Sequence, residues 1–96
     1  MDFYDPSASD EPASGDEDVR FLAEIVAILA KARIDKGVSL RELGDWIGYD
    51  PGYLSRAERN LTQPGVVPLR RWCRALGTDF VDIALRVRDE QPPQKT

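Results

Sequence analysis

Histidine is absent from this 96-residue chain, and cysteine and methionine occur once each. One thiol and no imidazole exclude a disulfide framework and a Cys/His zinc cluster, so neither a metal nor any other cofactor is expected. No glycine-rich loop precedes a helix in the way a phosphate cradle requires, which with the missing histidine argues against an enzyme. Long apolar runs are missing too. Nothing approaches the roughly 20 residues that span a bilayer, and no secretory leader pattern opens the chain. A cytoplasmic protein without a membrane partner is the expectation. Strand-like alternation is likewise absent, which leaves an all-α fold. The length allows one small domain, and a hydrophobic fraction of 42% supplies a modest core.

Basic charge is scarce overall, with a net charge of −4, but the deficit is local. Residues 1–18 hold seven acids (Asp2, Asp5, Asp10, Glu11, Asp16, Glu17, Asp18) and no base. Residues 19–90 hold twelve Lys and Arg against ten Asp and Glu, a balance of +2. The body therefore permits a nucleic-acid partner without demanding one. The first eighteen residues, rich in Asp, Ser, Pro and Ala, read as a disordered acidic tail. Phe3 and Tyr4 are its only large apolar residues. A solubilising role suits it best; the sharper alternatives are a short docking motif for a protein partner and an arm that competes electrostatically with DNA for the basic face.

Three divisions follow: the tail at 1–18, a helical domain at 19–90 and a frayed end at 91–96. The first helix is expected from Val19 to about Lys36, closed by Gly37, with Leu22, Ile25, Val26, Leu29 and Ala32 as its buried stripe. Phe21 and Ile28 lie well round the cylinder from that stripe. Either the last helix or a second subunit covers them. A fourth helix should run from about Val66 to Leu76, with Pro68 tolerable in its first turn and Leu69, Cys73 and Leu76 inward beside Trp72. Cys73 on that face is a small buried hydrophobe. Asp79 caps a fifth helix whose inner stripe is Phe80, Ile83, Ala84 and Val87.

Between them lies the organising stretch, Val38 to Arg59. Ser39-Leu40-Arg41-Glu42 has the form of a capping box, which starts a helix. Leu40, Leu43 and Ile47 make its apolar stripe, and Gly48 suits a left-handed end. Asp50 and Pro51 restart helix at once, as N-cap and first helical residue. Leu54 and Ala57 can face inward while Gly52, Tyr53, Ser55, Arg56 and Arg59 face out. Two short helices about a glycine turn, the second showing arginines outward, make a helix-turn-helix pattern.

From Val38 to about Leu85 the chain resembles the helix-turn-helix domain of Cro/C1 repressor-type (Xre family) transcriptional regulators. Val38-Ser39, Leu43, Ile47-Gly48, Leu54-Ser55-Arg56, Glu58-Arg59, Pro64, Leu69, Ala75-Leu76-Gly77 and Asp79-Phe80 carry the likeness. It implies a five-helix lambda-repressor-like DNA-binding domain, and a regulator that binds double-stranded DNA at a palindromic operator as a homodimer, at the nucleoid. Base-reading positions would be Pro51, Gly52, Tyr53, Ser55 and Arg56. Arg56 leads, because a guanidinium can donate twice to guanine O6 and N7. Phosphate contacts would fall on Arg59, Asn60, Thr62 and Gln63. The chain has Leu40 where the family commonly has a phosphate-binding Gln, which passes that role to Arg41. It also has Leu61, Thr62 and Gln63 in place of lysines, a thinner electrostatic grip. Arg33 and Glu58 match a partly buried ion pair that orients the recognition helix. Trp46 replaces a polar residue and either packs on the first helix or, with Phe21 and Ile28, marks a dimer or partner contact. An adaptor or antitoxin-like protein on the same fold, with DNA binding secondary, is the alternative reading.

Overall fold

Residues 16–90 are described by a computed structural model. They form five helices: α1 (Asp16–Asp35), α2 (Leu40–Ile47), α3 (Pro51–Glu58), α4 (Val66–Ala75) and α5 (Phe80–Glu90). Most of the expected tail, and the C-terminal 91–96, lie outside the described residues. Helix α1 begins three residues before the Val19 expected from the apolar pattern. Glu17 and Asp18 explain the difference, since carboxylates in a first turn meet the positive end of the helix dipole and extend it. The other helix bounds agree with the sequence reading to within a residue or two.

The short helices owe their starts to side-chain caps. At α2 the Glu42 amide donates to Ser39 Oγ at 3.0 Å, and the Ser39 amide donates to Glu42 Oε1 at 2.9 Å. At α3 the Tyr53 amide donates to Asp50 Oδ2 at 3.2 Å, with Pro51 in the first turn. Isolated eight-residue helices are unstable in water, so these caps and the packing beneath them define both elements. Asn60 ends α3 at a φ of 64°. The Leu61 amide donates to the Arg56 carbonyl and the Asn60 amide to the Ala57 carbonyl, a Schellman closure that turns the chain sharply away.

One core serves all five helices. Ile25, Val26 and Leu29 of α1 meet Leu43 and Ile47 of α2, Leu54 and Ala57 of α3, Leu69, Trp72, Cys73 and Leu76 at α4, and Ile83 and Val87 of α5. Trp72, expected merely beside the α4 stripe, is fully buried and the largest side chain there. Its indole N–H has no acceptor among the described residues, a lapse that usually costs about 1–3 kcal/mol and is outweighed by the area the ring buries. Cys73 is buried, and desolvation pushes its thiol above the ordinary range. Phe21 and Ile28 are half-buried and pack against this core within the chain. No described helix is long and apolar enough to cross a membrane.

Gly44, buried in α2, sets the approach of α3. A Cβ at this position would lie 2.5 Å from the Tyr49 carbonyl oxygen and 3.4 Å from Pro51 Cγ. Backbone cannot retreat as a flexible side chain can. Gly44→Ala should therefore force α2 and α3 apart and destabilise the fold by about 1–3 kcal/mol. A lower urea midpoint would show it; an unchanged midpoint would mean that the turn yields without cost.

Candidate nucleic-acid interface

Helix α3 is anchored from below. Leu54 and Ala57 are buried, at 0% and 1% exposure, and they fix which side faces in. By helical spacing Gly52, Ser55, Arg56 and Arg59 share the opposite side. Arg56 and Arg59 are exposed there, while Pro51, Gly52, Tyr53 and Ser55 are partly covered. After the Asn60 turn, Asn60, Thr62 and Gln63 line a small crevice of about 30 Å³ with Val26 and other α1 residues. Buried Pro64 pins this loop. Asn60 and Gln63 remain exposed beside the C-terminal end of α3. Arg41 is exposed on α2, whereas Leu40 turns toward the core and offers nothing polar to a phosphate.

The angle of α3 is fixed by Arg33, which reaches from the last turn of α1. Its Nε donates to Glu58 Oε2 at 2.8 Å, its Nη2 to Glu58 Oε1 at 2.9 Å and its Nη1 to the Val38 carbonyl at 2.7 Å. One planar guanidinium thus ties together α1, the link into α2 and the end of α3. Both side chains are largely shielded, at 13% and 12% exposure. Chiefly through the Glu58 hydrogen bond, and against the opposing effect of burial, the guanidinium is held above its already high ordinary value. It is charged at any pH the fold survives.

Two further residues brace this surface from behind and were not singled out from the sequence. Tyr49, in the turn between α2 and α3, stacks on Tyr53 with ring centroids 5.6 Å apart and planes inclined by 28°. The Arg71 guanidinium, from α4, lies 5.7 Å from the Tyr49 ring centre and donates to the Ile47 carbonyl at 3.2 Å. Tyr53 is therefore a braced ring rather than a free one, with one face committed to its neighbour. Gly52 also has a local role. A Cβ there would fall 2.8 Å from Asp50 Oδ2 and 3.4 Å from Arg56 Nη1. Its bare backbone leaves room for the capping carboxylate and for Arg56 to lie back toward the start of α3.

Trp46 does not pack on α1. It is 56% exposed and borders a groove with Ile47 and with Arg71, Arg74 and Ala75 of α4. The reason is register: Leu43 and Ile47 take the core side of α2, which sends Trp46 toward α4. Among the described residues no cluster of His, Cys, Asp or Glu is arranged to hold a metal ion.

Two measurements check this anchoring. Glu58→Ala leaves Arg33 shielded and unpaired and should cost about 3 kcal/mol, the lower end for a buried pair given the residual exposure. Asp35→Asn breaks only the exposed Lys31–Asp35 pair, at 76% and 61% side-chain exposure, and should cost about 0.5 kcal/mol or less. Equal losses in denaturant titrations would contradict the assignment. For Tyr53, burial first and Tyr49 second push the phenol above the ordinary tyrosine value. Because the folded value is raised, its contribution to stability is complete below the unfolded pKa of about 10 and is lost as pH climbs through the folded one. An alkaline absorbance titration should show a late phenol ionisation that Tyr53→Phe removes.

A Helix-turn-helix family profile matches residues 29–83, more than half of the chain. No curated protein matches at a significant level. Among solved structures, one of the clp gene regulator ClgR from Corynebacterium glutamicum is 38% identical, with a TM-score of 0.63, over 71% of this chain and 73% of that one. A second ClgR structure from C. glutamicum is 36% identical, with a TM-score of 0.62, over 74% of this chain and 92% of that one. The capped helix pair, the outward arginines of α3 and these matches agree: the chain belongs to the Cro/C1-type helix-turn-helix family and is a DNA-binding transcriptional regulator, not an enzyme.

Proposed function

We propose that the protein recognises a specific, palindromic operator as a homodimer, with α3 of each subunit in successive major grooves on one face of the DNA. The observation that carries this reading is the outward side of α3. Arg56 and Arg59 are exposed while Leu54 and Ala57 beneath them are buried, and the Arg33–Glu58 bridge fixes the tilt. Arg56 is the principal base reader, donating in parallel to guanine O6 and N7. Pro51, Gly52, Tyr53 and Ser55 frame it. The braced Tyr53 ring supplies an edge for a thymine methyl or a backbone phosphate.

Arg41, Arg59, Asn60, Thr62 and Gln63 fix register on the phosphates. With two cations among those five, non-specific binding is weak and a second subunit makes up the affinity. Half-sites about 34 Å apart match one helical turn of DNA. The uncovered parts of Phe21 and Ile28 on α1, with the exposed Val81 and Leu85 on α5, supply apolar area for the subunit contact. The site of action is the nucleoid in the cytoplasm.

Selection of bound fragments from random DNA at a stated salt concentration tests the whole reading. A recovered palindrome supports it, and recovery without sequence enrichment ends it. On the selected site Arg56→Ala should lose about 1–3 kcal/mol, roughly five- to 150-fold in affinity, and relax the preference at one base pair. Arg59→Ala should weaken binding to every sequence alike and flatten the salt dependence by about one unit of slope. Equal retention of wild type and Arg56→Ala would remove Arg56 from base reading. Sedimentation equilibrium reads the dimer separately.

A further inference from the structure

The groove beside Trp46 has a composition the DNA reading does not use. It measures about 540 Å³ and is lined by Trp46, Ile47, Arg71, Arg74 and Ala75. An indole 56% open to solvent stands on one side and two guanidinium groups on the other. Neither arginine meets a carboxylate among the described residues; Arg71 spends one N–H on the Ile47 carbonyl and lies over the Tyr49 ring, which leaves its charge uncompensated. Such a surface suits a short segment that carries aromatic rings next to carboxylates. The rings cover the indole, and the acids accept from the guanidiniums.

The chain contains one segment of that chemistry, Asp2-Phe3-Tyr4-Asp5, within a run of seven acids and no base. Eleven residues lie between Tyr4 and Asp16, where α1 starts. Extended, that span reaches about 40 Å, against extents of 45, 27 and 23 Å for the structure, so it covers either shorter dimension and most of the longest. We propose that residues 2–5 dock in this groove on their own chain, Phe3 and Tyr4 against Trp46, and Asp2 and Asp5 on Arg71 and Arg74. Attachment on the same chain raises the local concentration of the segment, so shallow contacts suffice.

Quenching of tryptophan fluorescence by acrylamide in the full chain reads the groove directly and is independent of whether DNA binds. Trp72 is fully buried, so the quenchable emission belongs to Trp46. In the Phe3→Ala/Tyr4→Ala variant the quenching constant should rise at least about two-fold, as the indole loses aromatic cover of order 150 Å² or more. Arg74→Gln, at an exposed position that supports no core contact, should raise it as well. Both increases should persist on tenfold dilution. Equal quenching in wild type and the double variant would overturn the proposal. So would an Arg74→Gln variant that keeps the wild-type value, or a difference that vanishes on dilution, since the occupant would then be a second copy.

Discussion

The orientation of α3 depends on one fork of hydrogen bonds. From α1, Arg33 makes three hydrogen bonds of 2.7–2.9 Å to two other parts of the chain, Glu58 and the Val38 carbonyl, and only a planar, permanently charged group with donors on two edges can do so. Its value is positional more than energetic. A well-packed apolar cluster could stabilise the same volume as well or better. It would not fix the rotation of an eight-residue helix with only Leu54 and Ala57 buried below it. Two apolar contacts set which side of α3 faces inward; the ion pair sets the angle at which the outer side stands.

Much of this architecture was legible because the signals are local. Ser39 with Glu42, Asp50 with Pro51, and Gly48 at a left-handed end each follow from the chemistry of neighbouring residues, and the helix ends fall where those residues put them. The inward stripes were readable from period alone, since one buried face must recur every three or four residues. The Arg33–Glu58 contact spans 25 positions, and no periodicity links two such distant residues. Resemblance to a family suggested it, and the geometry then supplied the third partner, the Val38 carbonyl.

What escaped the sequence is of two kinds. Tyr49 and Arg71 act only through neighbours brought together by folding, and a tyrosine in a turn or an arginine on an amphipathic helix has no distinctive pattern. Trp46 turned toward α4 because an eight-residue helix has few core positions to give, and Leu43 and Ile47 fill them. Trp72 shows the opposite case. Its position next to the α4 stripe left its burial open, and the size of the hole between the helices decided it.

Gly44 has a mechanical consequence. Where a carbonyl lies as close to a neighbouring helix as Tyr49 lies to Gly44, no side chain cushions the joint. Helices α2 and α3 therefore meet at this joint backbone to backbone, with no side chain between them whose rearrangement could take up a hinge motion. Induced adjustment falls instead to side-chain rotamers and to the bending and twisting of the duplex. On the operator proposed above, sequences that deform easily would gain an advantage at base pairs the protein never touches.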